Sequence, residues 1–303
     1  MKILFTGATG VLGKACLPLL ISDGHDVTAP YRSDTEKDWL ETLGARPEAV
    51  DLFDSSAVED AISGVDTVIH FATSIPPQSK MAKRNSWIMN DRLRDQATGN
   101  LVDAAIKHGV ARFIQQSVAL VYEDGGDAWL DESADVKPAW NVLDSALSAE
   151  AHVDRFRSHG HTGIVLRLAR LYGPGKASDD YIESVETRSM PIVGRGDNYV
   201  SSIHVSDAAT AVTASLNAPD GTYNIGDDAP MRSADNLGSL VEVLGAPKPR
   251  RIPTWMAALA LRKAAKLLTA SHRVSNQTFK QATSWMPTFP SAAEGWADIV
   301  KAK

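Results

Sequence analysis

Cysteine is nearly absent from the sequence, since Cys16 is the only one among 303 residues. With a single thiol the chain cannot close an internal disulfide, which excludes a disulfide-stapled scaffold. Its stability must therefore come from an apolar core, and 44% hydrophobic with 22% charged residues suits a globular protein of this size. A reducing compartment fits this composition, so we expect a cytoplasmic protein.

Long hydrophobic runs and an excess of basic charge are also lacking. No uninterrupted apolar run reaches the roughly 20 residues that a membrane-spanning helix requires. The longest helical apolar stretch, 255–268, is interrupted by basic residues, and the net charge of the chain is -6. Because nucleic-acid binding needs a clustered basic face, we expect neither a nucleic-acid partner nor a membrane partner.

The short motifs of several common chemistries are missing as well. The sequence contains no His-Glu-x-x-His, no Cys-x-x-Cys and no Asp-x-Asp-x-Asn-Gly, so we expect no dedicated metal site. It contains no Gly-x-Ser-x-Gly, which argues against acyl transfer of the α/β-hydrolase kind.

The sequence does contain a regular alternation of short apolar segments with helical ones. Strands are predicted at 3–5, 26–28, 67–71, 112–115 and 163–167, and helices at 12–22, 35–42 and 92–108. Such alternation indicates βαβ units and a parallel sheet that is buried on both faces. We therefore predict an α/β fold with a Rossmann-type, doubly wound parallel sheet.

After Pro174 the alternation loosens, and glycine and proline become frequent. We predict a dinucleotide-binding Rossmann domain over residues 1–172 and a smaller C-terminal α/β region over 173–303 that binds the substrate. Some strands and helices of the second region are expected to return to the main domain.

A glycine-rich segment follows the first predicted strand and opens the first predicted helix. Gly7 permits a sharp turn, Gly10 lets the backbone approach a pyrophosphate, and Gly13 lets the helix pack closely on the strand. The start of the helix then offers N–H groups and a positive dipole end to the phosphates. The predicted dinucleotide contacts in this segment are Thr6, Gly7, Thr9, Gly10, Val11, Leu12 and Gly13.

The end of the second predicted strand governs the choice between NAD and NADP. An acidic residue there would bind the ribose 2′-OH of NAD, but the segment 27–33 has none at the expected place. Arg32 can meet a 2′-phosphate, and Ser33 can donate a hydrogen bond to it. We therefore predict NADP(H) in preference to NAD(H). The alternative is a solvated Arg32, with Asp34 turned inward for NAD.

These segments resemble the extended short-chain dehydrogenase/reductase family, whose members are also called NAD-dependent epimerase/dehydratases. The glycine segment matches Thr-Gly-x-x-Gly-x-x-Gly, and later family motifs follow in order at 51–52, 69–72, 166–175, 203–209, 223–226 and 285–296. The likeness covers nearly the whole chain. It implies that Asp51 and Leu52 lie by the adenine and that Phe71, Ala72 and Thr73 belong to the cofactor site.

In that family the chemistry rests on a tyrosine and a lysine on one helix face, with a serine or threonine from a nearby strand end. The lysine lowers the pKa of the tyrosine, which exchanges a proton with the substrate while hydride moves. Aligned on the family's Ser-Lys-x-x-x-Glu segment, the tyrosine, lysine and serine/threonine positions hold Val142, Ala146 and Val118. All three catalytic groups are missing on this alignment.

Three residues are candidates to replace the missing groups. Tyr122 follows the strand end, Ser117 lies one residue before the usual position, and Asp144 is a carboxylate base if a dry pocket raises its pKa. Each residue also has a purely structural interpretation: Tyr122 as a tyrosine packed in the core, Ser117 as an ordinary strand hydroxyl, and Asp144 as a solvated carboxylate on a helix.

The first functional hypothesis is an NAD(P)(H)-dependent oxidoreductase, epimerase or dehydratase that acts on a small molecule through a non-standard active site. The alternatives are a catalytically silent NADP(H)-binding sensor and a non-redox enzyme that reuses the pocket. Family analogy also suggests a homodimer.

Overall fold

The computed structural model describes residues 1–77 and 79–303 in full and residue 78 through its backbone. The chain forms two compact units, each assembled from three stretches of sequence. The first unit comprises Met1–Ser117, Asp144–Arg167 and Ala209–Tyr223, and the second comprises Val118–Leu143, Leu168–Ala208 and Asn224–Lys303. The functional division between residues 1–172 and 173–303 stays a prediction.

The strands confirm an α/β fold with a Rossmann-type sheet. They are β1 (Lys2–Thr6), β2 (Asp26–Pro30), β3 (Arg46–Glu48), β4 (Thr67–His70), β5 (Arg112–Val118), β6 (Trp129–Leu130), β7 (Thr162–Leu168), β8 (Arg170–Tyr172), β9 (Ile192–Val193), β10 (Tyr199–Val200), β11 (Ser202–His204), β12 (Gly221–Ile225), β13 (Met231–Arg232), β14 (Arg251–Ile252) and β15 (Arg273–Val274). Seven of them form one sheet in the order β12-β7-β5-β4-β1-β2-β3. The pairings of β1 with β2 and β4, of β2 with β3 and of β4 with β5 are parallel.

The helices alternate with the sheet strands, as the sequence predicts. They are α1 (Val11–Ser22), α2 (Asp34–Leu43), α3 (Ser55–Ile62), α4 (Ile88–Arg92), α5 (Thr98–Lys107), α6 (Asp144–Ser158), α7 (Lys176–Glu186), α8 (Val205–Ser215), α9 (Ser233–Leu244), α10 (Thr254–Leu261), α11 (Ala265–Thr269), α12 (Gln277–Thr283) and α13 (Ala292–Lys301). Short 3-10 turns lie at Gln78–Lys80, Arg84–Trp87, Ala119–Val121, Asn141–Leu143 and Arg262–Ala264. Within the described chain, no helix has both the length and the hydropathy that crossing a bilayer demands.

The helix predicted over 92–108 begins earlier and is not regular. It consists of α4, a π-helical segment Leu93–Ala97 and α5. The carbonyl of Leu93 accepts hydrogen bonds from the His70 ring and from the Thr98 hydroxyl, each at 3.3 Å. Side chains that enter the backbone ladder in this way widen a helical turn, and the apolar periodicity of the sequence does not record it.

The apolar stretch 255–268 is also not one helix. It divides into α10, a 3-10 turn and α11, and the break falls at Arg262, where φ is 51°. An α-helix of L-residues cannot continue through a positive φ, so the break ends α10.

The core of the first unit lies between one face of the sheet and the helices α3, α5 and α6. Its buried side chains are Leu4, Val58, Ala61, Ile62, Val68, Leu101, Val102, Ala104, Ala105, Val110, Phe113, Val153, Phe156 and Val165. Fully burying a side chain such as Phe113 contributes about 1.5–3 kcal/mol. Leu4 of β1 and Val68 of β4 both belong to this cluster, so the packing holds the two strands against the helices.

The strand order reverses beside β1, and this reversal determines where a ligand can bind. The chain runs outward from β1 to β2 and β3, then crosses back to β4 on the other side of β1. At such a switch point the loops that follow the two strands diverge and leave a crevice for a ligand. The last paired residues there are Thr6 of β1 and His70 of β4.

Two glycine-to-alanine substitutions test how tightly α1 packs. A Cβ on Gly13 would lie 2.2 Å from the Gly7 carbonyl oxygen, whereas a Cβ on Gly238 in α9 meets no atom within 4 Å. We expect Gly13→Ala to lower the free energy of unfolding by about 3 kcal/mol. Gly238→Ala should raise it by roughly 0.5–1 kcal/mol, because alanine is the better helix former. Urea unfolding measures both, and a Gly13→Ala protein as stable as the parent would contradict the packing.

Candidate functional site

A cleft of about 630 Å³ opens in the first unit where β1, β2, β3 and β4 end. It is lined by Thr6, Gly7, Thr9, Gly10, Pro30, Tyr31, Arg32, Ala49, Val50, Asp51, Leu52, Phe53, Phe71, Ala72, Thr73, Ser74, Met89 and Leu93. Of the predicted cofactor residues, the structure brings Thr6, Gly7, Thr9, Gly10, Arg32, Asp51, Leu52, Phe71, Ala72 and Thr73 to this lining. The other three, Val11, Leu12 and Gly13, form the first turn of α1.

The floor of the cleft is a close approach of the first turn to the end of β4. Gly7 has a φ of 85°, and a Cβ there would lie 2.5 Å from the carbonyl carbon of Phe71. Gly10 donates to the Gly7 carbonyl at 3.0 Å and stands at the N-cap of α1, where no side chain caps the helix. A cradle without Cβ atoms, next to an uncapped helix start, fits the pyrophosphate of a dinucleotide.

The rim after β2 contains an acidic residue that the sequence analysis missed. Glu36 accepts hydrogen bonds from the Thr9 hydroxyl at 3.1 Å and from the Arg32 backbone N–H at 2.8 Å. Ser33 caps α2 by accepting from the backbone N–H of Glu36, and Asp34 is exposed rather than turned inward. The spacing Ser33-x-x-Glu36 is that of a capping box, and it is the signal that could have located this carboxylate.

Arg32 itself lies on the cleft wall with a solvated side chain. Its side chain is 85% exposed, and its guanidinium lies 3.8 Å from the Glu36 carboxylate. An exposed pair of this kind contributes little to stability. The guanidinium is therefore available to an anion that enters the cleft.

His70 joins the ends of β1 and β4 to the helix behind them. Its ring is fully buried, with Nδ1 against the Thr6 hydroxyl and Nε2 donating to the Leu93 carbonyl. Burial lowers the pKa of His70 to about 4, so the imidazole is neutral at physiological pH. His70 is thus a structural hydrogen-bonding group at the base of the cleft.

The candidate proton-transfer residues occupy separate environments. Ser117 is buried and donates to Glu150, and Arg167 binds the same carboxylate through two nitrogens at 3.0 and 2.6 Å. Asp144 is exposed at the start of α6. Neither Ser117 nor Asp144 lines the cleft. In the second unit, Tyr122 is buried and its hydroxyl donates to Asn224 at 2.8 Å.

Comparison with known proteins agrees with the fold. The model of the NAD dependent epimerase/dehydratase family matches residues 3–226. The chain belongs to this family. A 3-diazoavenalumate denitrifying reductase from a Streptomyces species is 31% identical, over 97% of this chain and 99% of that protein. A 2-alkyl-3-oxoalkanoate reductase from Stenotrophomonas maltophilia is 26% identical, over 82% of this chain and 77% of that protein.

Solved structures share the fold at low identity. A human epimerase family protein crystallised with NADPH superposes with a TM-score of 0.82 at 19% identity and covers 100% of both chains. A UDP-glucose 4-epimerase from Thermotoga maritima, crystallised with UDP-glucose, gives a TM-score of 0.81 at 21% identity. That superposition covers 99% of this chain and 98% of the epimerase.

The structure places the three positions that the sequence analysis aligned with the family's catalytic groups in or beside α6 and at the end of β5. Neither α6 nor the preceding turn Asn141–Leu143 contains a tyrosine or a lysine. Val142 and Ala146 are both fully buried apolar residues, and Val118 is partly buried at the end of β5.

The buried state of His70 predicts a pH dependence of stability. Because the pKa is lower in the folded protein than its ordinary value of 6.5, stability is full above pH 6.5 and decreases as the pH falls toward about 4. A shift of this size corresponds to roughly 3 kcal/mol. His70→Gln should remove that part of the dependence in urea unfolding at several pH values. Burial also lowers the pKa of His204 and His272, but both remain in the variant. If the free energy of unfolding of the parent and of His70→Gln depended equally on pH, the assignment of this dependence to His70 would be wrong.

Proposed function

We propose that this member of the epimerase/dehydratase family is an NADPH-dependent reductase that acts on a small molecule. The observation that carries the proposal is the cleft, which combines a Cβ-free cradle at Gly7 and Gly10 with an available guanidinium at Arg32. Two of its relatives are named as reductases, and one solved structure of the same fold contains NADPH. When bound, the nicotinamide supplies a hydride.

The preference for NADPH rests on the rim after β2. Arg32 can form charge-assisted hydrogen bonds with a 2′-phosphate at the cleft wall. Glu36 carries the opposite charge, but Thr9 and the Arg32 backbone N–H occupy its two carboxylate oxygens. Glu36 therefore orders the loop that carries Arg32.

The composition of α6 limits the kind of acceptor that is reduced easily. A carbonyl that gains a hydride becomes an alkoxide, and a positioned acid that protonates it contributes about 10²–10⁴-fold to the rate. The usual tyrosine and lysine are absent from α6, and the Ser117 hydroxyl already donates its hydrogen bond to Glu150. A cationic acceptor becomes neutral when it gains a hydride, so it needs no such acid.

An aryl diazonium ion is a cationic acceptor of this kind, and we propose it as the substrate class. Hydride addition to the terminal nitrogen forms an N–H bond and gives a neutral aryl diazene. Loss of N₂ then breaks the carbon–nitrogen and nitrogen–hydrogen bonds and forms the C–H bond of the arene and the third bond of N₂, so the two electrons of the hydride reduce the diazonium ion to an arene and N₂. The relative at 31% identity supports this class, because its name describes a denitrifying reduction of a diazo compound.

Matched acceptors test the proposal. Benzenediazonium and benzaldehyde share the ring and differ in charge, and NADPH absorbance follows their reduction, with protein-free reactions subtracted. We expect the diazonium to be reduced roughly 100-fold faster or more, because it needs no acid. Equal rates would show that the protein supplies a proton donor and would contradict the proposal. Cofactor binding without turnover of either acceptor would favour the catalytically silent sensor.

The cofactor preference is tested with charge-matched arginine variants. Arg32→Ala should weaken NADPH binding by roughly 10- to 100-fold, because a hydrogen bond to a charged group contributes about 1.5–3 kcal/mol. NADH binding should not change. Arg46→Ala is the control, since Arg46 is an exposed arginine of the same unit that pairs with Asp26 outside the cleft. Calorimetric titration measures all the affinities, and equal losses for NADPH and NADH would contradict a 2′-phosphate contact.

A further inference from the structure

Arg94, in the π-helical segment behind the cleft, is a buried cation without a partner. Its side chain is 2% exposed, and Nε is buried without a hydrogen-bond acceptor. Among the described residues, no carboxylate lies within ion-pair distance of its guanidinium. Burial lowers the pKa of Arg94 to about 10, so the side chain is still charged at neutral pH.

The nearest carboxylates already pair with other arginines. Glu150 binds Arg167 through both oxygens and also accepts from Ser117, whereas Asp91 binds Arg84 through Oδ2 at 2.6 Å and its Oδ1 is buried without a hydrogen-bond partner. These two carboxylates face three arginines. The positive charge of Arg94 is therefore in excess. A buried charge without a partner costs several kcal/mol, which a protein tolerates readily where a ligand supplies the opposite charge.

Asn90 provides a second unused donor on the same helix face. It lies one turn before Arg94, at the i,i+4 spacing that places side chains next to each other. Its side-chain oxygen accepts from the Ser74 backbone N–H at 3.2 Å, while its Nδ2 is buried without a partner. Asn90 and Arg94 lie behind the cleft wall: each directly follows a residue that lines the cleft, Met89 or Leu93, and Asn90 accepts from Ser74 of the same lining.

We propose that Arg94 and Asn90 bind the carboxylate of the substrate, at the part of the cleft lined by Ser74 and Leu93. Two unused donors and one unpaired positive charge match the two oxygens and the single charge of a carboxylate. The inference rests on the proposed function and narrows it, because it makes the substrate an aromatic acid that carries the acceptor group.

Binding of benzoate and benzamide tests the site without any turnover. The two probes share size and shape, and only benzoate carries the charge. In calorimetric titrations of the protein saturated with NADP⁺, we expect benzoate to bind roughly 10- to 100-fold more tightly than benzamide. Arg94→Met should abolish that difference. Lys107→Met, which removes an exposed lysine of α5 paired with Glu59, should preserve it. A competition titration with inorganic phosphate asks whether the site is specific for a carboxylate. We expect phosphate not to displace benzoate. Displacement would assign the site to phosphate and overturn the proposal.

Stability separates a ligand site from a structural ion pair. If Arg94 is a ligand-binding residue without a partner inside the protein, the Arg94→Met variant should unfold at the same or a higher urea concentration than the parent, because methionine replaces an unpaired buried charge. A lower unfolding midpoint, with benzoate still preferred over benzamide, would make Arg94 structural and overturn the proposal.

The outcomes for the site and for the reductase are distinguishable. If benzoate binds through Arg94 but no acceptor is reduced, the carboxylate site stands and the reductase proposal fails. If diazonium ions are reduced equally by the parent and by Arg94→Met, and benzoate binds no better than benzamide, the carboxylate site is wrong and the reductase proposal stands.

Discussion

The close approach of Gly7 to the end of β4 is the constraint on which the first unit depends. The backbone at Phe71 and Ala72 lies where a side chain at position 7 would start, so only glycine permits the contact. The same contact lets α1 begin directly after the turn, with Gly13 packed on the turn itself. The cleft exists because two strand ends converge while the loops beyond them diverge.

The parts of the fold that follow from local rules could be predicted from the sequence. Gly7 takes a φ of 85° within the turn, and Gly10 and Gly13 each meet the backbone of Gly7 a few residues away, so all three glycines carry a local signal. Whereas β3 (Arg46–Glu48) and β12 (Gly221–Ile225) were not predicted from apolar runs, strands β1, β4, β5 and β7 contain such runs, whose order along the chain carries the α/β pattern. These features are set by neighbours in sequence, which is why one sequence predicts them.

The parts that were missed depend on residues far apart in the chain. The role of Glu36 needs Thr9, 27 positions away, and only the spacing to Ser33 hints at it. The π-helical segment needs a hydrogen bond from His70 to Leu93. The hydrogen bond donated by Ser117 needs Glu150 as its acceptor, and Glu150 lies on a different element of the chain. Hydrogen-bond partners brought together by the fold have no local signature.

The π-helical segment also sets the angular phase between two helices. A residue inserted into an α-helix rotates all preceding residues by about 100° relative to those that follow, given 3.6 residues per turn. The widened turn at Leu93–Ala97 therefore lets α5 keep its apolar face on the core while α4 presents a different set of side chains to the cleft. Within this fold, the length of a single helical turn can thus change which side chains meet a ligand, with no change in the strands or in the glycine loop.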